Sequence, residues 1–163
     1  MKLPDLILKS SKHGKGVFAG KNFRRGEFII EFTGKIHKIK DNPKGMNSKN
    51  SHYIQIGKDI CLGPTKSFDN YINHSCNPNS GLKISDQVRL FATRKIRKGK
   101  EVTYDYSTTM YEDNWKMECR CGYRKCRRVV RDFKFLLRDV QQKYIKLGVV
   151  PQYVIENLKK INK

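Results

Sequence analysis

The sequence predicts a mainly β domain with helices at its C-terminal end. Three observations lead to this fold class. Short runs of β-branched and aromatic residues alternate with Gly, Pro, Asn and Asp through about the first hundred residues. The apolar residues change to a helical spacing after a cluster of cysteines. A chain of 163 residues with 37% hydrophobic residues is long enough to bury one core.

Five strands are predicted, at residues 16–19, 28–32, 53–56, 88–92 and 101–104. Turn-forming residues separate these runs, as expected for short strands in small sheets. Residues 41–51, with the sequence DNPKGMNSKNS, contain almost nothing to bury. We therefore expect them to form a flexible loop inserted in the β domain.

The C-terminal part is predicted to be helical. Six apolar residues after the cysteines fall on one helical face: Phe133, Leu136, Leu137, Val140, Tyr144 and Leu147. Gly148 can end this helix, and Pro151 can begin a second one that carries Val154, Leu158 and Ile161. These faces pack either on the domain itself or on a second copy of the chain, so a homodimer through the C-terminal helices is one predicted arrangement.

The charge balance points to polyanionic partners but does not require them. The net charge is +20, and residues 120–163 alone hold 13 Lys and Arg against 3 Asp and Glu. Such a field attracts nucleic acid, although a solvated charged surface explains it as well. No apolar run approaches the about 18 residues of a membrane span, and the first residues show no secretory signal. We expect no membrane contact.

The cysteines favour a metal site over a disulfide framework. Of five cysteines, Cys119, Cys121 and Cys126 lie within eight residues, so their thiolates can converge on one ion. A redox-active trio is the alternative. A metal site of this kind predicts an intracellular, reducing compartment, either cytoplasm or nucleus.

Four segments carry a more specific pattern. They are residues 13–19 (HGKGVFA), 71–79 (YINHSCNPN), 101–106 (EVTYDY) and 119–126, where the cysteines have the spacing Cys-x-Cys-x4-Cys. Taken singly, they fit a tight turn, a loop that bonds its own backbone, a strand end and a thiol cluster. In this order the set resembles the SET-domain family of S-adenosylmethionine-dependent protein-lysine methyltransferases, with its zinc-binding post-SET tail, over about residues 10 to 128.

The resemblance implies the SET β-clip fold. This fold has several small curved sheets and a pseudoknot-like threading that joins the segments around Asn73 and Tyr106. It divides the chain into a lead-in at residues 1–9, a SET domain at 10–108, a post-SET zinc segment at 109–128 and a helical extension at 129–163.

The resemblance also implies a cofactor site for S-adenosylmethionine. Small residues let such a ligand approach the backbone closely. The implied cofactor-binding residues are Gly14, Lys15, Gly16, Val17, Asn73, His74 and Trp115. For Lys15 and Val17 the implied contacts are made by the backbone, whereas Trp115 lies in a linker that either covers the cofactor or is an ordinary exposed connector.

The catalytic and channel residues follow from the same resemblance. Tyr106 would orient the lysine amine, and Tyr104 would limit the product to mono- or dimethyllysine. Tyr53, Phe32 and Tyr71 would line the lysine channel. The Phe32-Thr33-Gly34 run departs from the family's commoner Tyr-x-Gly, which removes a possible hydroxyl group from the channel.

For the metal, the resemblance adds Cys76 as a fourth zinc ligand to Cys119, Cys121 and Cys126. Cys61 lies outside this pattern and is expected to be a small buried residue that binds no metal. The implied function is methyl transfer to lysine in a protein, with histones or other chromatin proteins as candidate substrates. The rival hypothesis is a catalytically weak, zinc-stabilised basic module that binds chromatin or nucleic acid.

Overall fold

The computed structural model describes residues 2–3, 5–41, 52–65, 67–111 and 115–161. Its strands are β1 (Lys2–Leu3), β2 (Leu6–Ser11), β3 (Gly14–Ala19), β4 (Phe28–Phe32), β5 (Ile36–Lys38), β6 (Ile54–Gln55), β7 (Ile60–Leu62), β8 (Asn73–His74), β9 (Ser80–Ile84), β10 (Val88–Ala92), β11 (Thr103–Tyr104), β12 (Met117–Glu118) and β13 (Val129–Val130). Two α-helices follow, α1 (Arg138–Lys146) and α2 (Gln152–Ile161). Short 3-10 helices occupy Ile39–Asp41, Phe68–Tyr71, Tyr106–Thr108 and Phe133–Phe135.

The strands form five small sheets. Three have three strands each, in the orders β1-β2-β3, β4-β10-β9 and β5-β7-β6, and two are pairs, β8 with β11 and β12 with β13. In β10, Val88, Leu90 and Ala92 are buried while Arg89 is exposed, as expected for a strand with one face on the core. The mainly β prediction with C-terminal helices is confirmed.

The pairing of β8 with β11 brings distant segments together. These strands are parallel, with Thr103 opposite Asn73 and Tyr104 opposite His74. The N–H of Val102 also donates to the carbonyl oxygen of Val17 at 2.8 Å, which adds β3 to the same place. The segments around Gly16, Asn73 and Tyr106 therefore meet, as the predicted threading requires.

The C-terminal helices cover a second apolar cluster next to the main core. Its buried members are Phe133, Leu136, Tyr144, Val149, Val150 and Val154. The expected single stripe from Phe133 to Leu147 is wrong in its first turn, because α1 begins only at Arg138 and Leu137 is 74% exposed. The Gln141 side chain supplies the reason, since its Nε2 donates to the carbonyl oxygens of Phe133 and Lys134 at 3.2 and 3.1 Å. Those carbonyls are thereby bound outside a regular helical ladder.

Two other predictions concern the ends of elements. Gly148 follows the last residues of α1 with a φ of +66°, the left-handed conformation in which glycine ends helices. Of the predicted flexible loop 41–51, Asp41 lies in a 3-10 helix and residues 42–51 lie outside the described residues.

Among the described residues no helix combines the length and apolar character needed to cross a bilayer.

Candidate active site and metal centre

Gly16 lies at a crowded junction of three segments. The Asn73 side chain donates from Nδ2 to the carbonyl oxygen of Lys15 at 3.0 Å and to Oε1 of Glu101 at 2.7 Å. The Ser11 hydroxyl donates to the same Glu101 oxygen at 2.7 Å. A Cβ atom at position 16 would clash with that oxygen and would lie 2.8 Å from the Ser11 Cβ. Glycine is therefore required by the packing of Glu101 and Ser11 against this strand.

The other predicted cofactor residues of β3 differ in their exposure. Gly14 and Lys15 are exposed at the β2–β3 turn, where Gly14 has a φ of +95°. Val17 is fully buried, so its side chain belongs to the core. Its carbonyl oxygen accepts a hydrogen bond from the N–H of Val102.

His74 connects the tyrosine segment to the cysteine cluster. Its Nδ1 accepts from the backbone N–H of Tyr106 at 3.2 Å, and its Nε2 lies 3.4 Å from Sγ of Cys76. Burial lowers the pKa of His74 to about 4, against a smaller opposing effect of Asp105. A neutral ring with an acceptor at Nδ1 carries its proton at Nε2, so it donates toward the Cys76 sulfur.

Tyr106 sits in a group of aromatic rings. Its ring centroid lies 4.8 Å from that of Tyr104 and 6.5 Å from that of Trp115, and Tyr104 packs edge-on against Phe32 at 5.9 Å. The Tyr106 hydroxyl donates to the carbonyl oxygen of Ile72 at 2.8 Å. Burial raises the pKa of both tyrosines above the ordinary value. Both phenols are therefore protonated at neutral pH.

The two remaining channel candidates contact other parts of the chain. Tyr53 packs edge-on against His37 of β5, with 5.5 Å between the ring centroids. Tyr71 lies 6.3 Å from the ring of His52, and the Lys15 ammonium lies 5.7 Å from its centroid. Tyr71 is thus next to the glycine turn, whereas Tyr53 is tied to the β5-β7-β6 sheet.

The four predicted zinc ligands converge. The Sγ atoms of Cys76, Cys119, Cys121 and Cys126 all lie within 4.8 Å of one another, with 3.8 Å between Cys76 and Cys119 and 3.6 Å between Cys126 and Cys119. Tetrahedral zinc with Zn–S bonds of about 2.3 Å places its sulfur atoms about 3.8 Å apart. The cluster therefore fits one zinc ion. Cys61 lies apart from it and is buried, as expected.

The protonation of these thiols is uneven without metal. Burial raises the pKa of Cys76 to about 11 and raises that of Cys119 further. Burial opposes ionisation of Cys121 too, but hydrogen bonds from the backbone N–H groups of Cys76 and Tyr123 outweigh it and lower the pKa to about 7. Zinc binding must therefore displace protons from the buried thiols.

Asp105 is a buried residue to which the sequence interpretation gave no role. Its side chain is fully buried, and the two terminal nitrogens of Arg127 donate hydrogen bonds to its two carboxylate oxygens at 2.6 and 2.7 Å. The Tyr144 hydroxyl donates to it from α1 at 3.0 Å, and the Ser107 N–H donates at 3.1 Å. Asp105 thus joins the β domain, the cysteine segment and the helical extension directly beside Tyr106. A charged residue inside the apolar run VTYDY was the signal for it in the sequence.

These features define a SET-type domain, and comparison with known proteins agrees. The SET domain model matches residues 14–107. Because this match covers more than half of the 163 residues, the chain belongs to the SET domain family.

Several curated relatives carry histone-lysine methyltransferase names. Histone-lysine N-methyltransferase ASHH3 of Arabidopsis thaliana is 33% identical over 135 residues, which are 75% of this chain and 37% of that protein. Human Histone-lysine N-methyltransferase 2B is 29% identical over 138 residues, which are 75% of this chain and 5% of that protein. The chain therefore spans only a minor part of either relative.

Solved structures of KRYPTONITE are similar in fold. Its complex with mCHG DNA and SAH has a TM-score of 0.64 and 26% identity, covering 77% of this chain and 29% of that one. A second complex, with mCHH DNA, an H3(1-15) peptide and SAH, has a TM-score of 0.62 and 25% identity over 77% of this chain and 29% of that one.

Proposed function

We propose that the chain is a protein-lysine methyltransferase that uses S-adenosylmethionine. The observation that carries this proposal is the convergence of the Gly16 strand, Asn73 and Tyr106, held by the hydrogen bonds of Asn73 and Glu101. Membership of the SET family and the SAH-bound KRYPTONITE neighbour support the choice of cofactor. The residues Gly14, Lys15, Gly16, Asn73 and His74 would form the cofactor side.

The protein's task is to align two reactants and present a neutral amine. The bound sulfonium supplies an activated methyl group. A free lysine has a pKa of about 10.4, so deprotonation near neutral pH costs about 4 to 5 kcal/mol. A dry channel lined by Phe32, Tyr104 and Tyr106 lowers that cost by disfavouring the charged amine. Alignment contributes several kcal/mol more.

Tyr106 is suited to positioning rather than to proton removal. Its hydroxyl proton is committed to the carbonyl oxygen of Ile72, which leaves the oxygen lone pairs to accept from a substrate amine. Its raised pKa keeps the phenol protonated, so it is a poor general base. The amine is therefore oriented by Tyr106 and loses its proton to solvent before transfer.

Tyr104 is proposed to restrict the product to mono- or dimethyllysine. It is buried between Phe32 and Tyr106, so its hydroxyl occupies space that further methyl groups would need. Tyr53 and Tyr71 are proposed to line the outer channel, of which Tyr71 is the better supported through its contact with Lys15.

The zinc ion is proposed to be structural. Four thiolates close the tetrahedron, which leaves no position for substrate. Metal binding of this type contributes on the order of 10 kcal/mol to folding of the segment that supplies the ligands. Cys76 follows the Asn73-His74 strand, so the ion would fix the cysteine segment next to Tyr106 and Trp115.

We propose a histone or another chromatin protein as the substrate, and hence a nuclear or chromatin location. The histone-methyltransferase names of the relatives and the H3 peptide bound to KRYPTONITE support this class. Nucleic-acid contact would complement it. The net charge of +20 would attract the phosphates of a nucleic acid.

Two weaker candidates are distinguished by experiment. A basic binding module without catalysis would bind duplex DNA yet show no saturable heat when zinc-replete protein is titrated with S-adenosylmethionine. A homodimer through the C-terminal helices would have to use the exposed Leu137 and Ile161, since most of the predicted stripe packs inward. Sedimentation of wild-type protein across a concentration series would detect it.

The decisive assay is transfer of a labelled methyl group to histone H3 and to fractionated nuclear proteins, followed by peptide mapping. The Tyr106→Phe variant should lose at least about 100-fold in kcat while its melting temperature and affinity for S-adenosylmethionine stay close to wild type. The exposed Tyr123 provides the matched control, and Tyr123→Phe should retain activity. Wild-type protein that binds the cofactor but methylates no lysine would refute the proposal.

A further inference from the structure

A cavity lies between the β domain and the first C-terminal helix. It has a volume of about 190 Å³ and opens where the loop after β8 faces α1 and the turn that follows α1. Asn77, Ser80 and Gly81 line it on the β side, and Lys143, Tyr144 and Val149 line it on the helical side. None of the predicted cofactor or channel residues is among its lining.

Three cations from three separate elements line this cavity. Arg25 comes from the turn before β4, Arg94 from the turn after β10 and Lys143 from α1. All three are exposed, and in the part of the chain that the structure describes none is paired with a carboxylate residue. Arg94 donates from Nη2 to the carbonyl oxygen of Asn77 at 2.9 Å. That bond holds the guanidinium at the cavity edge and leaves its other N–H groups for a ligand.

The one carboxylate in the lining, that of Asp105, would repel a bound anion little because its charge is already paired. Asp105 is already bound by both terminal nitrogens of Arg127 and by the hydroxyl of Tyr144. The hydroxyls of Ser80 and Thr108 donate to backbone carbonyl oxygens. The cavity thus combines hydrogen-bonded polar groups and the apolar residues Pro78, Leu147 and Val149 with a cationic rim.

We propose that this cavity is a binding site for a phosphate group. A phosphate group is anionic both as a monoester and in a nucleic-acid backbone, and its several acceptor oxygens match the N–H groups of two guanidinium groups and one ammonium. The volume accommodates one phosphoryl group of a small soluble ligand or of a nucleic-acid backbone. The assignment is independent of methyl transfer, because it uses none of the residues assigned to that reaction.

Calorimetric titration of the full chain with pyrophosphate, at low ionic strength, tests the assignment. Wild-type protein should saturate at one equivalent. Arg25→Gln and Lys143→Gln should each raise the dissociation constant about fivefold, and the double variant should raise it more than either, because each removes a charge-assisted contact. A control with the same change in net charge is Lys159→Gln/Lys160→Gln, at the exposed end of α2. It should stay within about twofold of wild type.

Two outcomes would overturn the site. One is the absence of saturable binding by a wild-type protein whose melting curve is cooperative. The other is equal weakening by the cavity and control pairs, which would mean that pyrophosphate senses only the overall charge. Competition with a short DNA duplex separates the sources of the phosphate. Displacement of pyrophosphate that depends on Arg25 and Lys143 identifies a backbone phosphate, and failure to displace it identifies a small soluble anion.

Discussion

Replacing Arg127 by glutamine should strongly destabilise this protein, whereas the same change at Arg120 should have little effect. The two arginines lie seven positions apart in the cysteine segment, and both bind a carboxylate. Their surroundings differ completely. The partner of Arg127 is the fully buried Asp105, while Arg120 and Glu118 are 72% and 70% exposed.

The size of the difference follows from desolvation. Removing one partner of a buried ion pair leaves an uncompensated charge and costs about 3 to 5 kcal/mol. We expect a loss of stability at the lower end of this range, because the Arg127 side chain is 23% exposed and Tyr144 and Ser107 still donate to Asp105 in the variant. About 3 kcal/mol corresponds to a fall of about 6 to 12 °C in the melting temperature of a domain of this size. An exposed pair such as that of Arg120 contributes at most about 1 kcal/mol.

The assay is urea unfolding of zinc-replete wild type, Arg127→Gln, Asp105→Asn and the double variant, with zinc content measured for each. Buried coupling predicts that the double variant loses about 1 to 3 kcal/mol less than the two single losses combined. Equal stability of Arg127→Gln and Arg120→Gln, or additivity of Arg127 and Asp105 within about 0.5 kcal/mol, would refute the reasoning.

Three further outcomes are expected. Gly16→Ala should lower the free energy of unfolding by about 1 to 3 kcal/mol and weaken binding of S-adenosylmethionine, because the added Cβ would displace Glu101. Calorimetry measures this affinity. The control variant Gly99→Ala strains only a turn with a φ of +81° and should leave the affinity unchanged. Removal of zinc by a chelator should lower the melting temperature and abolish methyl transfer, with both restored by added zinc; unaltered melting after verified metal loss would contradict a structural ion. Tyr104→Phe should shift the products toward trimethyllysine, as mass spectrometry of the substrate peptide would reveal; dominant trimethylation by the wild type would rule out the proposed restriction.

The sequence predicted most where short-range patterns and spacing decide the structure. Strands 28–32 and 88–92 were predicted with the bounds that the structure has, because turn residues border both and alternation marks the second. The spacing of Cys119, Cys121 and Cys126 predicted their convergence, whereas the addition of Cys76 came from the family resemblance. The 53–56 and 101–104 strands are shorter in the structure, at Ile54–Gln55 and Thr103–Tyr104. Glu101 instead forms an isolated bridge with Phe18, and the N–H of Ile56 donates to the carbonyl oxygen of Ile60 in a turn, neither of which local propensity records.

What the sequence did not reveal depends on long-range partners. Glu101 was part of a recognised motif, but its bonds to Ser11 and Asn73 join positions 90 and 28 residues away. The late start of α1, at Arg138 rather than at Phe133, depends on Gln141, a polar residue that a periodicity argument ignores. Such side-chain bonds compete with regular backbone pairing, and only the assembled fold decides between them.

The position of Asp105 also bears on how short a recombinant version of this protein can be. The family match stops at residue 107, just after this carboxylate, whereas Arg127 and Tyr144 lie beyond that boundary. A truncation at residue 107 would therefore keep the Asp105 carboxylate and remove both the Arg127 guanidinium and the Tyr144 hydroxyl that bind it. A recombinant version limited to residues 14–107 would leave the buried Asp105 carboxylate without these partners, so a shortened version should extend at least through Tyr144 of α1.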